Sequence, residues 1–466
     1  MRVPCSLLLA CLILCPSPAA ADRIDDYVRA QLKARNLPGL SLAVVKDGRI
    51  VKAAGYGVAS LELEVPATAQ TVYEIGSISK QFAADAVLLL VEDGKVRLDD
   101  PISTYLESPP AAWSPITVRH VLTHTAGLAD FDSGKIGFSY RREYSAREFV
   151  ELLGQQPLQF APGERWNYTN AFPLLGMVVE RASGLPYMDF VRARIFTPLG
   201  LASARFKIAD EVVPHRADGY LFADGRYRHG ETLRPAIIAA NGGVMMNVTD
   251  FAKWDIAITR GGLLRPESLT AMTTPVRLND GRTVSHGLGW FMDRFNGHRF
   301  GAHWGTTVTG HSSVIRRYVD DGVTVIVMAN LGDDGLAVDA ISKRVVDMFV
   351  PGTAVQGLRP VADREPAESA RLQTVIAAVA AGMEDPGAPG LAARLPAAVR
   401  ARIGAAMSAA TTFEPLGEER VNELHFNLDP ALTTIKWYRV ATPAGMRYLT
   451  LRLSATRALL GILIEE

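Results

Sequence analysis

The strongest constraint on this chain's fold is the placement of its strand-like runs on either side of a long helical stretch. Near the start, residues 40–45 and 49–57 are apolar runs joined by Lys46-Asp47-Gly48, the signature of a β-hairpin. Far downstream, four short runs follow one another over 287–292, 299–304, 312–318 and 323–330, the last two joined by Asp320-Asp321-Gly322. The periodicity is helical over 24–35, before the first strand, and between the two groups at 117–122, 146–153, 172–182 and 187–195. A further helix follows Thr249, a candidate cap, and 336–349 closes this part. The pattern predicts an α+β fold. One antiparallel sheet is built from both ends of the chain and flanked by helices, the helical middle is an insertion, and a site lies in the crevice between the parts.

Residues 352–366 are rich in Pro, Gly and polar side chains and read as a linker. Beyond it, helices over 369–383 and 391–410 and strands over 421–428, 433–440, 448–453 and 459–464 predict a small separate α+β domain, 367–466. That domain contains no nucleophile–base set, so its expected roles are packing or gating of substrate. The stretch 129–144 has weak periodicity and reads as an exposed loop.

With 466 residues, the chain has room for one large domain, 22–351, and this small one. Lys plus Arg and Asp plus Glu number 49 each, so the formal charge is zero and nucleic acid is excluded as an electrostatic partner. Residues 1–21 read as an export signal: Arg2, an apolar run over 7–14, then Ala19-Ala20-Ala21. That run is too short to span a membrane, so the mature protein is expected in the periplasm or secreted, without a membrane span. Cys5, Cys11 and Cys15 all fall inside the signal, which leaves a mature chain without disulfides or thiolate chemistry.

The chemistry concentrates at Tyr73-Glu74-Ile75-Gly76-Ser77-Ile78-Ser79-Lys80-Gln81-Phe82. A serine followed three residues later by a lysine puts both on one helix face. An amine whose pKa is lowered by burial can take the hydroxyl's proton, and a helix N-terminus favours an oxyanion. The expected helix opens at Ser77, turns Phe82, Ala86, Val87 and Leu90 to the core, and is capped by Gly94. Tyr168-Thr169-Asn170 adds a phenol able to relay a proton and an amide able to hold substrate and the lysine. His303-Trp304-Gly305 adds a polar side chain and a strand glycine, which marks close approach of backbone to a ligand.

Taken together these stretches resemble the serine beta-lactamase and penicillin-binding-protein superfamily, on its class C side, with related esterases and D-stereospecific aminopeptidases. Further matching stretches are Leu122-Thr123-His124-Thr125-Ala126-Gly127-Leu128, Pro162-Gly163, Gly242-Gly243 before Thr249-Asp250, and Gly287-Leu288-Gly289-Trp290, so the resemblance covers roughly 24–350. It implies the beta-lactamase/transpeptidase fold and an acyl-enzyme on Ser77, with Lys80 and Tyr168 sharing the base role. It also implies substrate contacts from Asn170 and His303, and an oxyanion hole at Ser77 and Thr306 beside Gly305. No cofactor or metal is implied, and the partner is a small-molecule or peptide substrate. Class C beta-lactamases carry a lysine where His303 stands, and a histidine of pKa near ~6.5 is mostly neutral at pH 7. The departure favours ester or D-amino-acid amide substrates over beta-lactam hydrolysis, D-Ala-D-Ala carboxypeptidase activity or slow-deacylating penicillin sensing.

Two rival chemistries fail on their motifs. His120 and His124 have zinc-protease spacing, but Val121 stands where that motif needs glutamate. Gly310-His311-Ser312-Ser313-Val314 lacks the final glycine of a nucleophile elbow, and the chain lacks alternating βα units.

Overall fold

The computed structural model describes residues 18–134, 136–208, 210–230, 236–332, 335–421 and 431–465. The first helix, Pro18–Ala34, leads into β1 (Gly39–Lys46) and β2 (Arg49–Ser60), the expected hairpin. Its tip residues Asp47 (φ 50°) and Gly48 (φ 68°) are both left-handed, as a two-residue turn of matching twist requires. With β3 (Val65–Pro66), β4 (Phe291–Phe295), β5 (His298–Thr307), β6 (His311–Tyr318) and β7 (Val323–Ala329) they form a seven-stranded sheet in the order β4-β5-β6-β7-β1-β2-β3. The two ends of the chain meet where β1 pairs antiparallel with β7, from Leu40 opposite Ala329 to Lys46 opposite Val323.

The central strands are buried on both faces, which explains their unbroken apolar runs. Leu40, Leu42, Val44, Val325 and Val327 pack with Ile24 and Val28 of the first helix and with Val338, Ile341 and Val345 of helix Leu336–Phe349. Ala43, Val45, Ile315, Ile326 and Met328 on the opposite face belong to a larger core with Phe82, Val87, Phe251 and Trp254. That second core contains helix Ser79–Glu92, buried from Ser79 through Leu90. Its end follows expectation: Gly94 is left-handed (φ 71°) and the Lys95 amide returns to the Leu90 carbonyl at 2.9 Å. Phe82 is fully buried, 4.8 Å from the Trp254 ring and 5.7 Å from Phe196. Phe82→Ala should therefore cost about 3–5 kcal/mol, read as a lower urea midpoint at unchanged m-value.

Several local readings change. The helix begins at Ser79, and Ser77 sits in a 3₁₀ turn, Gly76–Ile78, just before it. Residues 287–290 are not strand: β4 starts at Phe291, and left-handed Gly289 (φ 74°) presses the chain against the helix, where a Cβ would lie 3.4 Å from the Lys80 carbonyl. Asn247, not Thr249, caps helix Val248–Thr259, its side chain accepting from the Asp250 amide at 2.8 Å. The stretch 129–144 carries a small aromatic core, with Phe131 4.4 Å from Phe138 and Phe138 stacked on Tyr144 at 4.9 Å. An irregular backbone is held there by ring packing that leaves no periodicity in the sequence.

Beyond residue 366, helices Pro366–Ala380 and Ala397–Ser408 pack on a four-stranded antiparallel sheet, Thr412–Arg420, Leu432–Thr442, Gly445–Ser454 and Leu459–Glu465. The helix expected over 391–410 is two, Leu391–Arg394 and Ala397–Ser408, because Pro396 biases the residue before it out of the α region. The strand expected over 421–428 lies outside the described residues from 422 onward. The stretch read as a linker is partly built in: Val355 packs with Leu416 and Trp437, and the Trp437 ring lies 4.9 Å from Phe295 of β4. Among the described residues no helix is long and apolar enough to cross a membrane. The expected signal lies outside them up to residue 17, and the first helix begins at Pro18, so cleavage after Ala21 would remove its opening turn.

Candidate active site

The site forms where three parts of the fold meet: the turn before helix Ser79–Glu92, the segment 166–170 of the helical insertion, and the edge of β5. The turn is pinned from both sides. The Ile75 amide donates to the Val244 carbonyl at 3.0 Å, and Ser79 Oγ accepts from the Val244 amide at 3.0 Å. On the sheet side, Ser313 Oγ donates to the Ile75 carbonyl at 2.8 Å. Gly76 is left-handed (φ 52°), and a Cβ there would lie 2.7 Å from the Thr306 carbonyl and 2.9 Å from its amide nitrogen. A Cβ on Gly305 would lie 1.9 Å from the Ile75 carbonyl. The close approach that the strand glycine permits is to the backbone of the Ser77 turn. Gly305→Ala should push this turn off β5, lower kcat by about 10²-fold and cost about 1–3 kcal/mol of stability, checked by steady-state ester hydrolysis and thermal unfolding.

Lys80 is fully buried, and its Nζ donates to Ser77 Oγ and to Asn170 Oδ1, each at 3.1 Å, and to the Asn241 carbonyl at 3.4 Å. Burial pulls the amine down to about 7, against the opposing pull of the Asp130 and Asp132 carboxylates. Nζ also stands over the Tyr168 ring, 5.0 Å from its centroid. Burial raises the Tyr168 phenol, with its hydrogen bond to Ser77 acting in the opposite direction. Asn170 is oriented by two contacts: its Nδ2 donates to Asp130 Oδ2 at 3.3 Å, and Asn241 Nδ2 donates to its Oδ1 at 3.2 Å.

β5 pairs with β4 only as far as Ala302 opposite Phe291, so from His303 to Thr307 its β4-side edge has no ladder partner among the described residues. Exposed Thr306 lies on this free edge, directly behind Gly76. His303 is 1% exposed. Its Nδ1 lies 2.7 Å from the Trp304 carbonyl, which can only accept, so the proton is on Nδ1. Burial first, then the Lys80 charge, hold this imidazole neutral well below its usual range. The ring sits in an aromatic wall with Phe291 at 5.1 Å and Tyr168 at 6.4 Å.

The structure thus brings Ser77, Lys80, Tyr168 and Asn170 into one hydrogen-bonded group, sets Gly305 and Thr306 against the Ser77 turn, and puts His303 in the wall behind Tyr168. Sequence reasoning missed Asn241 and Asp130. Asn241 stood directly before a quoted Gly-Gly pair, and Asp130 at the start of the supposed loop, but nothing local marks either as a partner of Asn170. His120 closes a capping box with Thr117, the Thr117 amide donating to its Nδ1 at 3.1 Å.

Comparison with known proteins matches residues 24–346 to the family described as Beta-lactamase. The chain is 29% identical to penicillin-binding protein 4* of Bacillus subtilis (strain 168) over 331 residues, covering 65% of this chain and 70% of that protein. It is 33% identical to esterase EstB of Burkholderia gladioli over 205 residues, 41% of this chain and about half, 52%, of the esterase. A solved structure of D-amino acid amidase from Ochrobactrum anthropi SV3 superposes with a TM-score of 0.61 at 26% identity, covering 71% of this chain and 97% of that one. The fold is that of the beta-lactamases and transpeptidases, and the chain belongs to the beta-lactamase family as a serine hydrolase.

Proposed function

We propose that this protein hydrolyses esters and amides, D-amino-acid amides among them, through an acyl-enzyme on Ser77. One observation carries the reading: a fully buried lysine amine, lowered to about 7, lies 3.1 Å from the hydroxyl of Ser77. At pH 7 to 8 a substantial share of Lys80 is the neutral amine, able to take the Ser77 proton as Oγ attacks the substrate carbonyl. The Tyr168 phenol stays protonated in this range, which suits it to relay that proton to the leaving group rather than act as first base. The backbone amides of Ser77 and Thr306 would receive the developing oxyanion, each such donor worth about 3 kcal/mol of barrier. Water then attacks the acyl ester by the reverse proton path, with Asn170 holding Lys80 and substrate. Residues 22–351 carry this chemistry, 352–366 link, and 367–466 serve as an accessory domain.

Two features support a substrate without a carboxylate beside the scissile bond. Where a carboxylate would need fixed positive charge, position 303 holds a neutral imidazole. Beside Asn170 stands the Asp130 carboxylate, which suits an ammonium. The relatives named as an esterase, a D-aminopeptidase and a D-amino acid amidase are consistent with this. A panel of p-nitrophenyl acetate, D-alanine p-nitroanilide and nitrocefin tests the proposal. Steady release from the first two, with nitrocefin slowest, is expected; nitrocefin as the fastest substrate contradicts the carboxylate argument, and a burst without turnover identifies a slow-deacylating sensor. Export is part of the proposal and rests on residues 1–21; a purified native protein that retains Cys5, Cys11 and Cys15 would overturn it.

A further inference from the structure

The stretch His124-Thr125-Ala126-Gly127 has no part in the chemistry above, yet one of its residues holds three consecutive residues of the Tyr168 segment. The His124 carbonyl accepts from the Asn167 amide at 3.0 Å, and its ring Nδ1 accepts from the Thr169 amide at 3.2 Å. Between these two anchors the His124 ring stacks on the Tyr168 ring, 4.5 Å between centroids at 29°, and on Phe172 at 5.2 Å. Neighbouring contacts extend the grip, with the Gly163 amide donating to the Thr125 carbonyl and the Gln159 amide to the Gly127 carbonyl, both at 2.8 Å. Residues 159–169 form no strand or helix of their own, so this short stretch takes the place of a ladder partner.

The geometry specifies the state of the ring. An Nδ1 that accepts from an amide carries no proton, so the neutral imidazole is protonated on Nε2. That Nε2 is buried without a hydrogen-bond partner, and the ring meets His286 edge-on at 4.9 Å. The groups facing it are Tyr168, Trp166, His286 and, further off, Lys80 and His303; burial first, then the proximity of the basic His286, Lys80 and His303 side chains, keeps it neutral. His124 itself is left-handed (φ 58°), a conformation that asparagine also adopts readily.

We propose that His124 is the positioning residue of Tyr168, fixing the phenol over Lys80 and beside Ser77 by holding the amide after it and the ring itself. The inference rests on the reading of Tyr168 as a proton relay. It assigns to His124 no contact with substrate.

A double-mutant cycle with variants of graded chemistry tests it. His124→Ala should lower kcat for p-nitrophenyl acetate by about 10²-fold while KM changes little, as expected for a displaced catalytic group. His124→Asn keeps an acceptor for the Thr169 amide and should recover most of the loss; His124→Phe keeps the stack without the acceptor and should not. In a Tyr168→Phe background, His124→Ala should have little further effect. Additive losses in that cycle, or a fully active His124→Phe, would overturn the proposal. If His124→Ala does not fold, the contrast between Asn and Phe decides alone. A Tyr168→Phe enzyme with undiminished kcat would refute the relay reading instead, so the two failures remain distinguishable.

Discussion

Ser77→Ala is expected to reduce ester hydrolysis by roughly 10³–10⁶-fold, the range lost when a nucleophile is removed and only binding and oxyanion stabilisation remain. The fold should survive. The Ser77 side chain caps no helix, since neither the turn Gly76–Ile78 nor helix Ser79–Glu92 has a side-chain cap, and its partners are Lys80 and Tyr168. The turn is held instead by backbone contacts to Val244 and by Ser313. The expected result is therefore an unchanged Tm with lost turnover, measured by thermal unfolding beside p-nitrophenol release. Retained turnover in this variant would move the nucleophile elsewhere.

Lys80→Met should lower kcat/KM by about 10²–10⁴-fold, the usual worth of a positioned general base. The pH profile of the wild type identifies the group. An amine with a folded-state pKa of about 7 is an ammonium below that pH and cannot accept the Ser77 proton. The rate should rise with pH through an acid limb near 7, and the limb should vanish from the residual activity of Lys80→Met. Stability has a matching sign. Because burial lowers this amine from its ordinary value of 10.5, the unfolded chain binds more protons than the folded one between about 7 and 10.5, and stability rises with pH across that window. Below it, the folded state bears the full cost of a buried ammonium. Lys80→Met should accordingly raise Tm at pH 6 while losing most of the activity, a trade of stability for activity common at such sites. A lower Tm together with an unshifted acid limb would mean that the lysine is structural.

Much of this was legible because it depends on local chemistry. The hairpin tip at Asp47-Gly48 needs two left-handed residues, Gly94 ends a helix, and helix Leu336–Phe349 keeps its period to the last turn. The pairing of Ser77 with Lys80 follows from their three-residue spacing, even though Ser77 sits in the turn just before the helix. What escaped depends on tertiary contacts. Asn241 and Asp130 matter only because Asn170 lies between them, 71 and 40 residues away in sequence. Gly305 was legible as a point of close approach, but the Ile75 carbonyl that it admits was not, because it comes from another segment. Residues 287–290 have strand-like composition, yet Gly289 turns them under a helix, a contact that residue preference does not encode. His303 was read as a substrate contact; its burial was not legible, because it is set by Phe291 and Tyr168, which pack against it from other segments.

Rapid acid quenching of the wild-type protein with excess p-nitrophenyl acetate, followed by intact-mass analysis and peptide mapping, addresses the central claim most directly. A single acetyl group on the peptide containing Ser77, absent from Ser77→Ala and lost again as substrate is exhausted, is the predicted result. Acetylation at a different residue in a protein that still turns over, or steady turnover by Ser77→Ala, would contradict it.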